Sequence, residues 1–344
     1  MKVIGQWMKI VVAALIFSFA FQFNVSAESG TNVLTLTDKG LQSGLNRLVQ
    51  VQAVTRQEVN ELTKPDATFA KLMKRYEDID LVTKESVVYS LDPATGQAKE
   101  LLAVGGSSYD KNSPSELQAA ANSSVLVYRV DFFYFVADAS INKPKFVQAG
   151  VVTSVTGSGQ KPTNYTLILK NQTSDTRYGV YSDHAVNDTN KKVKLKEEVV
   201  LESPITRTWY WKGTSAAFAN FPDHSYRAKE QASDPLFLNK KGVKYPEYKD
   251  PQSGIVLWEP PANLPVNQRT PGSTYRDDFI KYYEKNWGKP TKFKWDDVQI
   301  HHMKPAKYNG QDSVSNLIPL WKPGSTAKNG IMNHSEITTW WASY

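Results

Sequence analysis

Histidine is scarce in this chain of 344 residues. There are five, and three of them, His301, His302 and His334, fall within the last 44 positions. Imidazole has an ordinary pKa near 6.5, so it can ligate a metal or exchange a proton near neutral pH. His301 and His302 are adjacent. Neighbours on a strand point to opposite faces, so one ring can hold an ion while the other takes a proton from an attacking water. That division suits phosphodiester hydrolysis. The chain contains no H-E-x-x-H run, which disfavours a zinc peptidase. His184 and His224 lie outside the cluster and read as ordinary surface or satisfied histidines.

The residues around the cluster predict strand, loop, strand and helix. Val298 and Ile300 alternate with polar residues up to the His pair. Pro305 and Asn309-Gly310 mark a turn-rich loop, and Leu317, Ile318 and Leu320 form a second apolar run. Asn333 is a favoured N-cap with Glu336 three residues later, close to a capping box. The helix it starts carries Ile337, Trp340 and Trp341 inward, with His334 in its first turn. Upstream, a further helix is expected from Ser273 to Trp287. Thr274 can cap it and Asp277 and Asp278 suit its positive start. Tyr275, Phe279, Tyr282 or Tyr283, and Trp287 form its apolar stripe, and Gly288 and Pro290 stop it. Arg276 on this helix can clamp a phosphate at two points.

The run His301-His302-x-x-Pro305, then Gly310, then Asn316-Leu317 on the apolar run, then His334 opening a helix, resembles the HNH (ββα-metal) nucleases of the colicin type and related bacterial toxin nuclease modules. The resemblance spans roughly residues 287–344. It implies that His301 and His334 are metal ligands and that His302 is the general base. It implies that Asn316 braces the loop through backbone groups and so orients His302. One divalent ion (Mg, Mn, Ni or Zn) is expected, with DNA favoured over RNA and little sequence preference. Lys304 and Lys307 are candidates for contacts with flanking phosphates. Many relatives have a further His four residues after the helix His. Here that position is Thr338, so water, the substrate phosphate or Thr338 itself must complete the coordination.

The rest of the chain divides by pattern. Residues 38–62 look helical, with Leu41, Leu45, Leu48 and Val51 at three- and four-residue steps, and a second helix is expected from Ala67 to Tyr76. Strands are expected at Ser86–Leu91, Ser124–Ala137, Lys145–Thr156, Asn164–Leu169, Tyr178–Ser182, Val193–Leu201 and Ile205–Trp211. The apolar run Val125–Val136 contains Arg129 and Asp131, which marks it as a buried strand rather than a membrane span. Residues 222–271 hold eight of the 18 prolines and read as an extended connector. The expected class is α+β. N-terminal helices and a β-rich, sandwich-like domain (28–215) precede a proline-rich connector (216–272) and a C-terminal nuclease module (273–344).

Residues 1–27 read as a secretory signal peptide. Lys2 and Lys9 are followed by a short apolar run and Val25-Ser26-Ala27. An uncleaved signal anchor is the alternative. The reading implies a secreted, extracellular protein without stable membrane association once the signal is cleaved. With no cysteine, the fold cannot use disulfides or thiolate zinc sites. The formal charge is +7. Removing Lys2 and Lys9 leaves 39 − 34 = +5, compatible with a polyanionic partner. An exported nuclease used against competitors would require a neutralising immunity protein. The rival expectation is a secreted surface- or partner-binding protein built on the β-rich part, with an inactive HNH-like tail.

Overall fold

The computed structural model describes residues 41–43, 45, 46, 60, 62, 67–92, 97–104, 126–157, 160–187, 192–228, 230–323 and 329–344. The expected signal segment lies outside them, as does most of the helix expected at 38–62. Residues 41–43, 45, 46, 60 and 62 are helical, and Leu41, Leu45 and Leu62 are buried. The class is α+β, dominated by antiparallel sheet, with few helices.

Helix α1 (Thr68–Met73) is followed by β1 (Ile79–Asp92), β2 (Gln97–Val104), β3 (Leu126–Ala137) and β4 (Lys145–Gly157). Next come β5 (Asn164–Ser174), β6 (Ser182–Val186), β7 (Lys192–Val193) and β8 (Glu198–Pro204). Then β9 (Trp209–Asn220), β10 (Ser225–Arg227), β11 (Gln231–Ala232) and β12 (Leu236–Leu238) precede α2 (Tyr275–Trp287). Strands β13 (Val298–His302) and β14 (Leu317–Trp321) and helix α3 (His334–Ala342) complete the order. One sheet runs β2-β1-β3-β4-β8. A second runs β10-β9-β5-β6, with β11 and β12 also on β9 and β7 on β5. The third is the β13-β14 pair.

Strand β3 shows why the longest apolar run became a strand. Tyr128, Val130, Phe132, Tyr134 and Val136 face a core shared with Leu167, Leu169, Trp211 and Ala217 of the second sheet. The alternate residues Phe133, Phe135 and Ala137 pack with Phe69 and Leu72 of α1. Both faces are covered, so the alternation of apolar and polar residues usual in a half-exposed strand is lost. Arg129 and Asp131 lie on the α1 side and satisfy each other. The Nε and Nη2 groups of Arg129 donate to the two Asp131 oxygens at 2.7 and 2.6 Å. Among the described residues, no helix is long and apolar enough to cross a membrane.

Several expected boundaries shift, each for a local reason. The strand expected at Tyr178–Ser182 begins where it was expected to end. Residues before it form a turn in which Gly179 N–H donates to Thr176 O at 3.2 Å. The strand expected at Val193–Leu201 is split into β7 and β8 by a turn at Lys194–Glu197, with Lys196 at φ 66°. The strand expected at Ile205–Trp211 starts later and extends to Asn220. Its second half, Gly213-Thr214-Ser215-Ala216-Ala217, lacks the bulky residues that signal a strand, because the facing sheet supplies them. A Cβ on Gly213 would sit 2.4 Å from the Tyr134 ring. Strand β2 gave no sequence signal. Thr274 precedes α2 without a side-chain capping hydrogen bond, so the acids Asp277 and Asp278 serve the helix start alone.

The connector is more than a spacer. Its first part forms β10, β11 and β12 on β9. Its remainder supplies Tyr245, Tyr248, Leu257 and Ala262 to the core that surrounds β13, β14, α2 and α3. Tyr210 of β9 and Phe237 of β12 join the same core. A strand pair with two helices encloses little apolar volume by itself, and these residues enlarge it.

Candidate functional site

Strands β13 and β14 pair antiparallel, with His301 opposite Ile318 and His302 opposite Leu317. Val298 and Ile300 anchor β13 in the core. Helix α3 begins with a complete capping box. Asn333 Oδ1 accepts from Ser335 N–H at 2.9 Å, and Glu336 Oε1 accepts from Asn333 N–H at 3.2 Å. Ile337, Trp340 and Trp341 are buried, which fixes the helix rotation and turns His334 toward β13.

His301 is buried, and its Nδ1 lies 3.1 Å from His334 Nε2. Burial drives the His301 pKa down to about 3, and the nearby His334 and His302 add to the effect. Burial also lowers the His334 pKa. Both rings are therefore neutral at pH 7, the form that ligates a metal. Two nitrogens each about 2.0–2.1 Å from one ion, at tetrahedral or octahedral angles, lie about 2.9–3.4 Å apart. The 3.1 Å separation fits a shared ion as well as it fits a hydrogen bond. Among the described residues, no group of three or more His, Cys, Asp or Glu side chains is placed to hold a metal. The Thr338 hydroxyl is turned back on the helix and donates to His334 O at 3.0 Å. The chain's own donors thus fit two positions of an ion and leave the rest to solvent or substrate.

His302 ends β13 and diverges from His301. Its Nε2 lies 2.6 Å from Asp312 Oδ1, and the Tyr275 ring of α2 packs against it with centroids 4.6 Å apart. An ionised carboxylate only accepts, so Nε2 carries a proton, and in the neutral form of the ring Nδ1 then holds the lone pair. Asp312 is ionised. Arg269 and the Gly272 N–H, with His302 in support, hold its carboxyl well below the usual carboxylate range.

The loop between the two strands is closed by Asn316. Its Oδ1 accepts from Lys304 N–H at 2.8 Å, and its Nδ2 donates to Lys304 O at 3.1 Å and to Gln311 O at 2.8 Å. Met303 N–H donates to Asn316 O at 2.8 Å. One side chain thereby ties both ends of the loop. Gly310 lies against the same backbone, and a Cβ there would fall 1.6 Å from Lys304 O. Gly310→Ala is expected to displace the loop, at a cost of about 1–3 kcal/mol for the forced clash. A urea midpoint equal to the parent's would contradict this packing.

His301, His302, His334 and Thr338 line one cleft of about 560 Å³ with Tyr275, Arg276, Gln299 and Lys322. Arg276 donates to Val298 O at 3.2 Å and to Trp295 O at 2.5 Å, which docks α2 on the start of β13. These acceptors are neutral carbonyls, so its charge remains at the cleft wall. Lys304 and Lys307 do not line the cleft. Lys304 is half-buried, and Lys307 is exposed with its Nζ 5.2 Å from the Tyr308 ring centroid. His184 packs edge-on against Trp209 and Trp211, and His224 stacks on Phe221. Neither is part of the cleft.

No family model matches the chain. No curated protein and no solved structure matches it either.

Reading the sequence missed Tyr275 as a neighbour of His302, Lys322 as a cation on the cleft, and the pair Arg269 and Asp312. Asp312 carried a faint signal, an acid in the loop between the His pair and Asn316. Arg269 carried none, because it stands 43 residues from Asp312 and meets it only after folding.

Proposed function

We propose that the C-terminal part of this protein is a metal-dependent endonuclease of the HNH (ββα-metal) type that hydrolyses phosphodiester bonds of nucleic acid, with DNA favoured. The observation that carries the reading is the division of the adjacent histidines. His301 faces His334 at ligand spacing, while His302 presents Nδ1 with Nε2 tied to a carboxylate.

His301 and His334 would hold a divalent ion, which would stabilise charge on the phosphate and the leaving oxygen. His302 Nδ1 takes a proton from water as the water oxygen bonds to phosphorus. The bond from phosphorus to the leaving oxygen breaks, and that oxygen takes a proton from solvent. Asn316 keeps the loop closed so that His302 and Asp312 stay in register. Arg276 and Lys322 offer positive charge to the substrate backbone. Lys304 and Lys307 are better placed for phosphates outside the cleft.

The test is cleavage of plasmid by the full chain with Mg²⁺, Mn²⁺, Ni²⁺ or Zn²⁺. Cleavage is expected with at least one metal, to be abolished by chelator, and to fall as salt rises. His334→Ala should weaken binding of that metal, read by calorimetry. Absence of cleavage under every metal would overturn the enzyme reading.

A second reading is favoured by one observation, the lack of a third protein ligand among the described residues. On that reading the tail is an inactive nuclease fold and the β-rich part binds a surface or partner. Export, extracellular location and a neutralising immunity protein belong with the nuclease proposal as its biological setting.

A further inference from the structure

We propose that Asp312 is the positioning residue that sets the tautomer and orientation of His302, and that the connector segment 267–272 is part of the catalytic unit because it holds Asp312 in place. The inference rests on the nuclease reading for its catalytic consequence. Its structural half stands without that reading.

Every acceptor position around the Asp312 carboxylate is directed. Oδ1 receives His302 Nε2 at 2.6 Å and Arg269 Nη2. Oδ2 receives Arg269 Nη1 at 3.0 Å and Gly272 N–H at 2.8 Å. Two-point binding by a planar guanidinium fixes the carboxylate plane as well as its position. Arg269 is itself fixed. Its Nε donates to Gly310 O, its Nη1 also donates to Thr270 O at 3.1 Å, and its backbone N–H donates to Ala306 O at 3.1 Å. Asn267 N–H donates to Lys307 O at 3.0 Å, and Asn267 bridges Tyr308 in parallel register. The segment is thus laid along the catalytic loop as a strap, and Arg269 reaches from it to Asp312. Tyr275 closes the other side of the imidazole.

The consequence for His302 follows from donor and acceptor accounting. With Asp312 as acceptor, the neutral ring must carry its proton on Nε2, which leaves the Nδ1 lone pair for a water proton. Once Nδ1 is protonated, the adjacent anion stabilises the imidazolium. An amide in place of the carboxylate can donate to Nε2 instead, which would put the ring proton on Nδ1 and remove the base without changing the side-chain shape. The same logic governs the buried aspartate behind the histidine of serine proteases.

The experiment compares the full-length parent with Asp312→Asn, Asp312→Glu and Arg269→Ala. Two quantities are read: kcat and KM on a duplex oligonucleotide with Mn²⁺, and the His302 ring-nitrogen shifts by ¹⁵N NMR, assigned with His302→Gln, at a pH where the ring is neutral. The parent is expected to show His302 protonated on Nε2. Asp312→Asn should move the proton toward Nδ1 and lower kcat at least about 10²-fold, the lower end of a general base's contribution, with KM and Mn²⁺ affinity little changed. Asp312→Glu should recover part of kcat, and Arg269→Ala should fall between. A parent ring protonated on Nδ1, or an Asp312→Asn variant with kcat close to the parent's, overturns the proposal. If Asp312→Asn does not fold, the parent tautomer and the Asp312→Glu variant decide it. If the parent cleaves nothing under any metal, the nuclease reading fails, while the NMR arm still decides whether Asp312 fixes His302.

Discussion

On the proposed nuclease function, replacing His302 with alanine is expected to lower the rate of phosphodiester cleavage about 10²–10⁴-fold, the usual contribution of a positioned general base. At about 1.36 kcal/mol per tenfold, that is roughly 3–5 kcal/mol of transition-state stabilisation. The loss should fall on kcat, because on that proposal the imidazole would engage the attacking water rather than the bound phosphate backbone. Metal affinity should hold, since His301 and His334 pair with each other while His302 pairs with Asp312. The half-buried ring of His302 packs mainly on Tyr275 and Asp312, so the change leaves the main apolar core untouched. The measurements are single-turnover cleavage and metal calorimetry on parent and variant. A variant that cleaves as fast as the parent removes His302 from the chemistry and returns the tail to the inactive reading.

Replacing Trp340 with alanine destabilises the protein by about 3–5 kcal/mol, the range for truncating a large buried aromatic. Trp340 has no exposed surface and touches Phe237, Tyr245, Trp341 and Tyr344. Its Nε1–H donates to Val243 O at 3.0 Å, and its own carbonyl accepts from Asn239 Nδ2 at 3.1 Å. The ring is therefore the point where α3 is fastened to β12 and the connector. Its loss leaves a cavity, removes the indole hydrogen bond to Val243 O and loosens the helix that carries His334. Metal affinity should fall along with the denaturant midpoint. An unchanged midpoint would mean that α3 does not depend on the connector for its position.

Much of the site was legible from sequence because its elements are local. Alternation placed β13, an apolar run placed β14, and Asn333 with Glu336 announced α3. The His pair, Asn316 and His334 then had to sit near one another on a short strand–loop–strand–helix unit. The β-rich part was legible in class and less so in detail. Where one face of a strand met solvent, the pattern survived. Where both faces were covered, as in β3, or where small residues received large partners, as in β9, it did not. Proline density in the connector signalled the sparse regular structure found after β12, yet it gave no sign of the strands before that point or of the aromatics this segment gives to the core.

The adjacent histidines were determined by sequence as a pair able to divide two tasks, and the local pattern determined the strand that carries them. Only the tertiary structure decided which groups each ring meets. Arg269 and Asp312 are 43 residues apart, and their contact exists because the strap pairs with a loop whose shape depends on Gly310 and Asn316. Periodicity reports which face of an element is buried. It carries no information about which distant side chain arrives at a given hydrogen-bonding direction. That is set by the packing of whole elements, and here the core around Trp340 brings the connector, α3 and the loop between β13 and β14 together.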